Sequence, residues 1–195
     1  MLTQGLGYNK DMATISQTGF PPQYINKYIQ AQLEEFGILT GAEQFDPIVP
    51  VTPTNIEELY GNYVGAPGQV NPLLIVYDRL ARYRPKSFYR HKREQLIYTI
   101  HSSSLTTAND VVRVISEALD REDASAQDVN KWIKDNLPND NKNVFFHRFK
   151  AFQIDETRDL LELSSARLSA VNKIVIEYDY HTTGGLAGPS GEFYT

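Results

Sequence analysis

The stretch QLIYTIHSSSLTTANDVVRVISEAL, residues 95–119, changes from the pattern of a strand to the pattern of a helix at three consecutive serines. Before the serines, apolar and polar residues alternate, which is typical of a half-buried strand. One face carries Leu96, Tyr98 and Ile100. After the serines, apolar residues recur with the period of an amphipathic helix, so a strand that leads into a helix forms the predicted centre of the fold.

The helical part is predicted to begin after an N-cap at Thr106 or Thr107. Its apolar stripe consists of Ala108, Val112, Ile115 and Leu119. A second, shorter helix is predicted after Ser125. Its inward residues are Val129, Trp132, Ile133 and Leu137.

Two more strands are predicted downstream. Val144–Ile154 is aromatic and rich in residues that favour strands. Val171–Tyr180 alternates clearly, with Ile174, Ile176, Tyr178 and Tyr180 on one face and Lys173, Glu177 and Asp179 on the other.

Upstream, the spacing of apolar residues predicts an amphipathic helix over Gln23–Phe36, directly after two prolines. Leu73–Tyr77 is a short apolar run that suits a buried strand. Between them, Thr40–Asn71 is rich in proline and glycine, which excludes long regular elements. Connections of this length are usually functional or ordered by a partner, so we predict an interaction surface that includes Tyr60 and Tyr63.

The order of these elements predicts an α+β fold, with a mostly antiparallel sheet and helices packed on one face. We assign residues 21–181 to a single domain with a Pro/Gly-rich insertion at residues 40–71. Residues 1–20 are predicted to form an N-terminal arm, and residues 182–195 a flexible C-terminal tail.

The net charge of −5 and the isoelectric point near 5.4 give no overall attraction to nucleic acid or to an anionic membrane. The absence of cysteine excludes disulfides and thiolate metal sites. The sequence has neither an apolar run of ~18 residues nor the pattern of a signal peptide. We therefore expect a soluble protein that stays where it is made and has no membrane partner.

Sequence motifs of common catalytic sites are absent: the chain has no phosphate-binding loop, no G-x-S-x-G elbow and no H-E-x-x-H. The histidines are scattered, without a second ligand at metal-binding spacing. They are His91, His101, His147 and His181. We expect structural or solvent-exposed roles for them, and we expect no enzymatic activity, catalytic residue, cofactor or metal ion.

Carboxylates on the last strand offer one alternative. Glu177 and Asp179 share a face with Lys173 nearby, and Asp155 follows the preceding strand. Two acids in this arrangement are compatible with a metal-dependent nuclease. Charges on the outer face of an edge strand also prevent unwanted strand pairing, which is the simpler interpretation.

One segment, residues 79–93, is strongly basic and is called the basic segment below. It places seven of the chain's 19 basic residues in 15 positions, interleaved with aromatic residues. Three interpretations are open: an acidic surface on a neighbouring subunit, a nucleic-acid backbone, or a hydrated connection between two strands. The candidate interface residues in it are Arg79, Arg82, Arg84, Lys86, Arg90 and Arg93.

From Pro72 to Tyr180 the order of elements resembles that of tail-terminator and tail-completion proteins of tailed bacteriophages. The resemblance rests on a strand that ends in a tyrosine, Leu73–Tyr77, on the strand and helix within residues 96–119, and on the aromatic and alternating strands that follow. Proteins of this family cap the tail tube as a ring, commonly a hexamer, and present the face that docks the head.

The resemblance implies a structural virion protein that is assembled in the host cytoplasm and forms a homo-oligomeric ring. Its implied partners are the tail tube or sheath protein and a head–tail connector protein, and it allows contact with DNA in the lumen. Two alternatives remain open. One is a head-completion or connector protein, which would form a dodecameric ring, and the other is a DNA-binding module that uses the basic segment.

Overall fold

The computed structural model describes residues 20–39, 48–50, 73–80, 91–102, 104–137, 144–154 and 170–182. The predicted arm before Phe20, most of the insertion at residues 40–71 and the predicted tail after Thr182 lie outside the described residues. The candidate residues that also lie outside them are Tyr60, Tyr63, Arg82, Arg84, Lys86, Arg90 and Asp155.

The described residues form three helices and five strands, and apart from β1 their order agrees with the predicted one. The helices are α1 (Pro21–Glu35), α2 (Leu105–Leu119) and α3 (Asp123–Asn136). The strands are β1 (Ile48–Pro50), β2 (Leu73–Leu80), β3 (His91–Ser102), β4 (Val144–Ile154) and β5 (Ala170–Thr182). β3 and β5 run beyond their predicted ends because they pair with each other along the full length of β3.

The strands form one sheet in the order β1-β2-β3-β5-β4. β1 is parallel to β2, whereas the pairs β2–β3, β3–β5 and β5–β4 are antiparallel. The prediction of an α+β fold with a mostly antiparallel sheet is therefore confirmed. The sequence does not predict β1, because three residues within a segment rich in proline and glycine are too few to show a period.

The three helices cover one face of the sheet, and the main hydrophobic core lies between them. Every second residue of β3 and β5 is buried there, as the alternation predicts. These residues are Leu96, Tyr98, Ile100, Ile174, Ile176, Tyr178 and Tyr180. The stripe of α2 packs against them through Ala108, Val112, Ile115 and Leu119.

Specific contacts fix α1 on this core. The hydroxyl of Tyr98, which is completely buried, donates a hydrogen bond to Oδ1 of Asn26 at 2.7 Å. The ring of Tyr28 meets Trp132 of α3 edge-on, with 5.7 Å between the ring centroids. Because a buried hydroxyl without a partner is costly, the bond to Asn26 lets a tyrosine occupy the centre of the sheet.

The starts of α2 and α3 differ from the predicted ones. The N-cap of α2 is Ser104, whose hydroxyl accepts a hydrogen bond from the backbone N–H of Thr107 at 3.3 Å. The predicted cap at Thr106 or Thr107 is wrong, because both threonines already lie inside the helix. α3 begins at Asp123, ahead of Ser125, whose buried hydroxyl instead accepts the N–H of Arg121 at 3.0 Å.

Candidate interaction surface

Arg79, the first residue of the basic segment, is paired with a carboxylate of the neighbouring strand. Its guanidinium donates two hydrogen bonds to Glu94 of β3, with Nε 2.9 Å from Oε2. The same group lies 5.2 Å from the centroid of the Phe20 ring. The hydrogen bonding of its guanidinium to Glu94 is the main reason that the pKa of Arg79 is raised. This cation therefore joins β2 to β3.

Glu94 is a buried carboxylate that collects four hydrogen bonds. In addition to the two from Arg79, it accepts the hydroxyl of Tyr178 at 2.7 Å and the hydroxyl of Tyr180 at 2.9 Å. Burial alone would raise its pKa, but the bonds from Arg79 and the two tyrosines outweigh burial and hold the pKa below its usual value. The carboxylate thus ties three neighbouring strands together.

Arg93, at the other end of the basic segment, lies on the opposite face of the sheet. Its Nε is 2.6 Å from Oδ1 of Asp179, and a second nitrogen is 2.7 Å from Oδ2. Glu177 lies 3.8 Å away from the same guanidinium and also accepts a hydrogen bond from Gln95 at 3.1 Å. The two carboxylates of the nuclease alternative are therefore engaged with an arginine and a glutamine.

Within the part of the chain that is described, no three histidine or acidic side chains are grouped so that they could hold a metal ion. The nuclease alternative also uses Asp155, which lies outside the described residues.

The face of β3, β5 and β4 that points away from the helices is called the open face. Antiparallel pairing aligns its residues in rows across the strands. One row contains Arg93, Asp179 and Arg148, and the next contains Gln95, Glu177 and Lys150. Phe145 and Phe152 on β4 are 45% and 40% exposed, so two large apolar rings stand beside the charged rows.

The outer edge of β4 is partly covered by α3 and by the turn between α2 and α3. The side-chain amide of Asn130 forms two hydrogen bonds with the backbone of Phe146. It accepts the N–H of Phe146 at 3.0 Å and donates to the carbonyl of Phe146 at 2.7 Å. The carboxylate of Asp120 accepts the N–H of Ala151 at 3.0 Å, and Glu122 forms a bridge with Phe149. Free edge groups would be a template for pairing with another chain, and these contacts occupy several of them.

The opposite edge of the sheet is short. β1 contains only three residues and ends in Pro50, which has no backbone N–H to offer to a further strand. Both edges are therefore poor sites for strand addition, and the open face is the better candidate for contact with another protein.

A shallow depression of about 580 Å³ lies between α1 and α2, and its apolar lining residues are Phe36, Val114 and Ala118. Glu117 and Arg121 also line it. Phe36 is 54% exposed there, which makes the depression a second surface with apolar character.

No protein-family model matches the chain, and no curated protein matches it either. Of the helices in the described ranges, none has both the length and the apolar composition of a membrane span.

The sequence predicts Arg79 and Arg93 as interface residues, and the structure places them on opposite faces of the sheet. Three features of the structure have no signal in the sequence: the hydrogen bonds that converge on Glu94, the contact of Asn130 with the edge of β4, and the contact between His147 and His181. Each depends on residues that are far apart in the chain, so no local pattern marks them.

Proposed function

We propose that this chain is a structural virion protein that forms a homo-oligomeric ring, ends the tail tube of a tailed bacteriophage and docks it to the neck. The observation that carries the proposal is the order of elements. A helix, the short strand β1, two antiparallel strands, two helices and two further antiparallel strands follow one another, and all five strands belong to a single sheet. That is the pattern on which the resemblance to tail terminators rests.

A subunit of a closed ring contacts its two neighbours through two different patches. Because contacts occupy several groups of the β4 edge and β1 is only three residues long, the side chains of the open face are the first patch in this proposal. Phe145 and Phe152 supply apolar area, and Lys150 lies 4.8 Å from the ring of Phe152. An aromatic centre with a charged rim is the usual composition of a protein interface.

The second patch in this proposal is the acidic turn between α2 and α3. Asp120 and Glu122 lie there, Asp123 begins α3, and Glu117 is one helical turn earlier. Arg121, between the two acids, is paired with Asp128 at 2.6 Å. Within one subunit Arg148 already pairs with Glu122 at 2.7 Å. Lys150 of one subunit would face the acidic turn of the next, and this complementarity would set the orientation of the contact.

The experiment is assembly on tail tubes that are polymerised from the tube protein of the same genome. The proposal expects rings at the ends of the tubes in electron micrographs, and no decoration along their length. A dodecamer that forms without tubes would favour a connector instead. Binding to DNA that falls steeply with salt, and that is lost on substitution of Arg82, Arg84 and Arg90, would favour the DNA-binding module.

A further inference from the structure

His147 on β4 and His181 on β5 share a hydrogen bond between their imidazoles, although they are 34 positions apart in the chain. Nε2 of His147 lies 2.6 Å from Nδ1 of His181. The bulge in β4 produces this contact, because the register with β5 shifts between Phe146 and Arg148 and leaves His147 as the additional residue. A bulge changes the direction of a side chain, and here it turns one imidazole toward the other.

The pair is partly enclosed and remains in reach of solvent. The ring of Phe145 lies 5.3 Å from the ring of His147 and 5.5 Å from the ring of His181, measured between centroids. Both histidines are half-buried. Protons from solvent therefore reach the pair, while its neighbours hold the two rings against each other.

The charged side chains at neighbouring positions of the three strands are largely compensated. They are Lys92, Arg93, Arg148 and Asp179, and the further titratable residue is His91, whose backbone is opposite that of His181. Arg93 pairs with Asp179, and Arg148 pairs with Glu122. The amino group of Lys92 lies 5.9 Å from the ring of Tyr180, on the helix-covered face. The facing nitrogens of the pair therefore dominate its response to protons.

A hydrogen bond between two imidazole nitrogens needs an N–H on one and a lone pair on the other. A pair with one positive charge can keep this bond, and a charged donor strengthens it. A second charge places an N–H on both facing nitrogens and brings two like charges together, so the bond is lost. Both histidines have further interactions in the chain. The limit of one charge holds for any such partner, because every ring nitrogen of a doubly charged pair carries a proton.

We propose that His147 and His181 form a pH-sensitive switch on the open face, which is closed at neutral pH and opens in mild acid when both rings become charged. An open pair consists of two independent imidazoles, and each takes up a proton near pH 6.5. Below that pH the open pair binds one proton more than the closed pair, so acid favours opening and a return to neutral pH restores the contact.

Opening changes the ring contacts of Phe145, which is 45% exposed on the open face. The switch is a property of the single chain and does not depend on the proposed ring. In a ring whose subunits meet through this face, the same switch would loosen the contact between neighbours in acid.

The test is nuclear magnetic resonance of the imidazole rings in the full chain, labelled with nitrogen-15 histidine and titrated from about pH 8 to about pH 4.5, which spans the ordinary titration of histidine. For His147 and His181 the closed pair predicts two protonation steps separated by at least about one pH unit. In His147→Gln and in His181→Gln, the remaining ring is expected to take up its proton in one step near pH 6.5. His101→Gln removes a histidine from elsewhere in the sheet and is expected to keep both steps.

A single common step for the two rings near pH 6.5 in the unmodified chain would overturn the proposal. The second readout is amide hydrogen exchange at Phe145 and Arg148, corrected for its intrinsic dependence on pH. Opening predicts exchange that is faster by about tenfold or more across the second step, with no such increase in His147→Gln or at Ile115 in α2. Circular dichroism at each pH shows whether the chain is folded. Two separate steps without faster exchange at the bulge would mean that the pair titrates and stays closed, which would also overturn the switch.

Discussion

Arg79 on β2 and Glu94 on β3 form a two-point ion pair on the helix-covered face of the sheet, with Nε 2.9 Å from Oε2. The side chain of Glu94 is only 7% exposed, and that of Arg79 is 34% exposed. A buried carboxylate is tolerated when its charge is paired and its oxygen atoms are satisfied, and Tyr178 and Tyr180 complete that set. The first cation of the basic segment therefore stabilises the fold.

Glu94→Gln is expected to lower the free energy of unfolding by about 1–3 kcal/mol, because it removes the charge that compensates Arg79 and leaves one of the four donors facing an amide N–H. Chemical denaturation measures the loss. The matched control is Glu117→Gln at the depression between α1 and α2, with an expected change within about 0.5 kcal/mol. Equal losses for the two variants would contradict the role assigned to Glu94.

His101 is expected to make stability depend on pH. Burial, assisted by the nearby charge of Lys173, lowers the pKa of His101 from 6.5 to about 4. Between those values the unfolded chain binds a proton that the folded chain does not, so stability falls as the pH is lowered from 6.5 to 4. The loss is about 3 kcal/mol at most.

The measurement is urea denaturation at a series of pH values, with His101→Gln as the variant. Between pH 6.5 and 4, the free energy of unfolding is expected to change less with pH in the variant than in the unmodified chain. Glu94 contributes a separate loss at lower pH: its pKa is below the usual value, so its stabilising effect disappears as the pH falls through that lowered pKa. An unchanged slope in the variant would rule out His101 as the group responsible.

Asn130→Ala is expected to lower stability by about 1–2 kcal/mol, because it removes both hydrogen bonds to the backbone of Phe146. It also opens the edge of β4, so aggregation that increases with protein concentration is expected. Light scattering during incubation measures this. Asn136→Ala is the control, since Asn136 lies on the same helix and bonds only to the carbonyl of Trp132 at an exposed position.

The open face is tested by Phe152→Ser. If subunits of the oligomer contact each other through this face, the substitution is expected to weaken assembly by about tenfold or more. The Tm is expected to change little, because Phe152 is 40% exposed in the single chain. Sedimentation at a series of concentrations measures the assembly. Phe36→Ser, at the depression between α1 and α2, is the control, and an equal loss of assembly in both variants would contradict this contact.

Much of the fold follows from local patterns. The alternation of Leu96, Tyr98 and Ile100 predicts which face of β3 is buried, because successive side chains of a strand point to opposite faces. The same argument holds for β5, and the stripe of α2 identifies its buried side. These predictions need no knowledge of the partner element, which is why they are reliable.

Pairings between distant residues could not be predicted in this way. Arg93 and Asp179 are 86 positions apart and meet only because β5 lies between β3 and β4. The same strand order brings His181 beside His147, and a bulge that has no sequence signal completes that contact. Similarly, Ser104 caps α2 because its backbone is extended at that point. The sequence has three serines in a row and does not show which of them has this conformation.

The absolute mass of the purified protein, measured by light scattering with and without polymerised tail tubes, tests the proposed ring most directly. The proposed function predicts a hexamer, or a monomer that becomes a ring only at the ends of tubes. A monomer that ignores the tubes at every concentration would contradict the ring and its role in the tail.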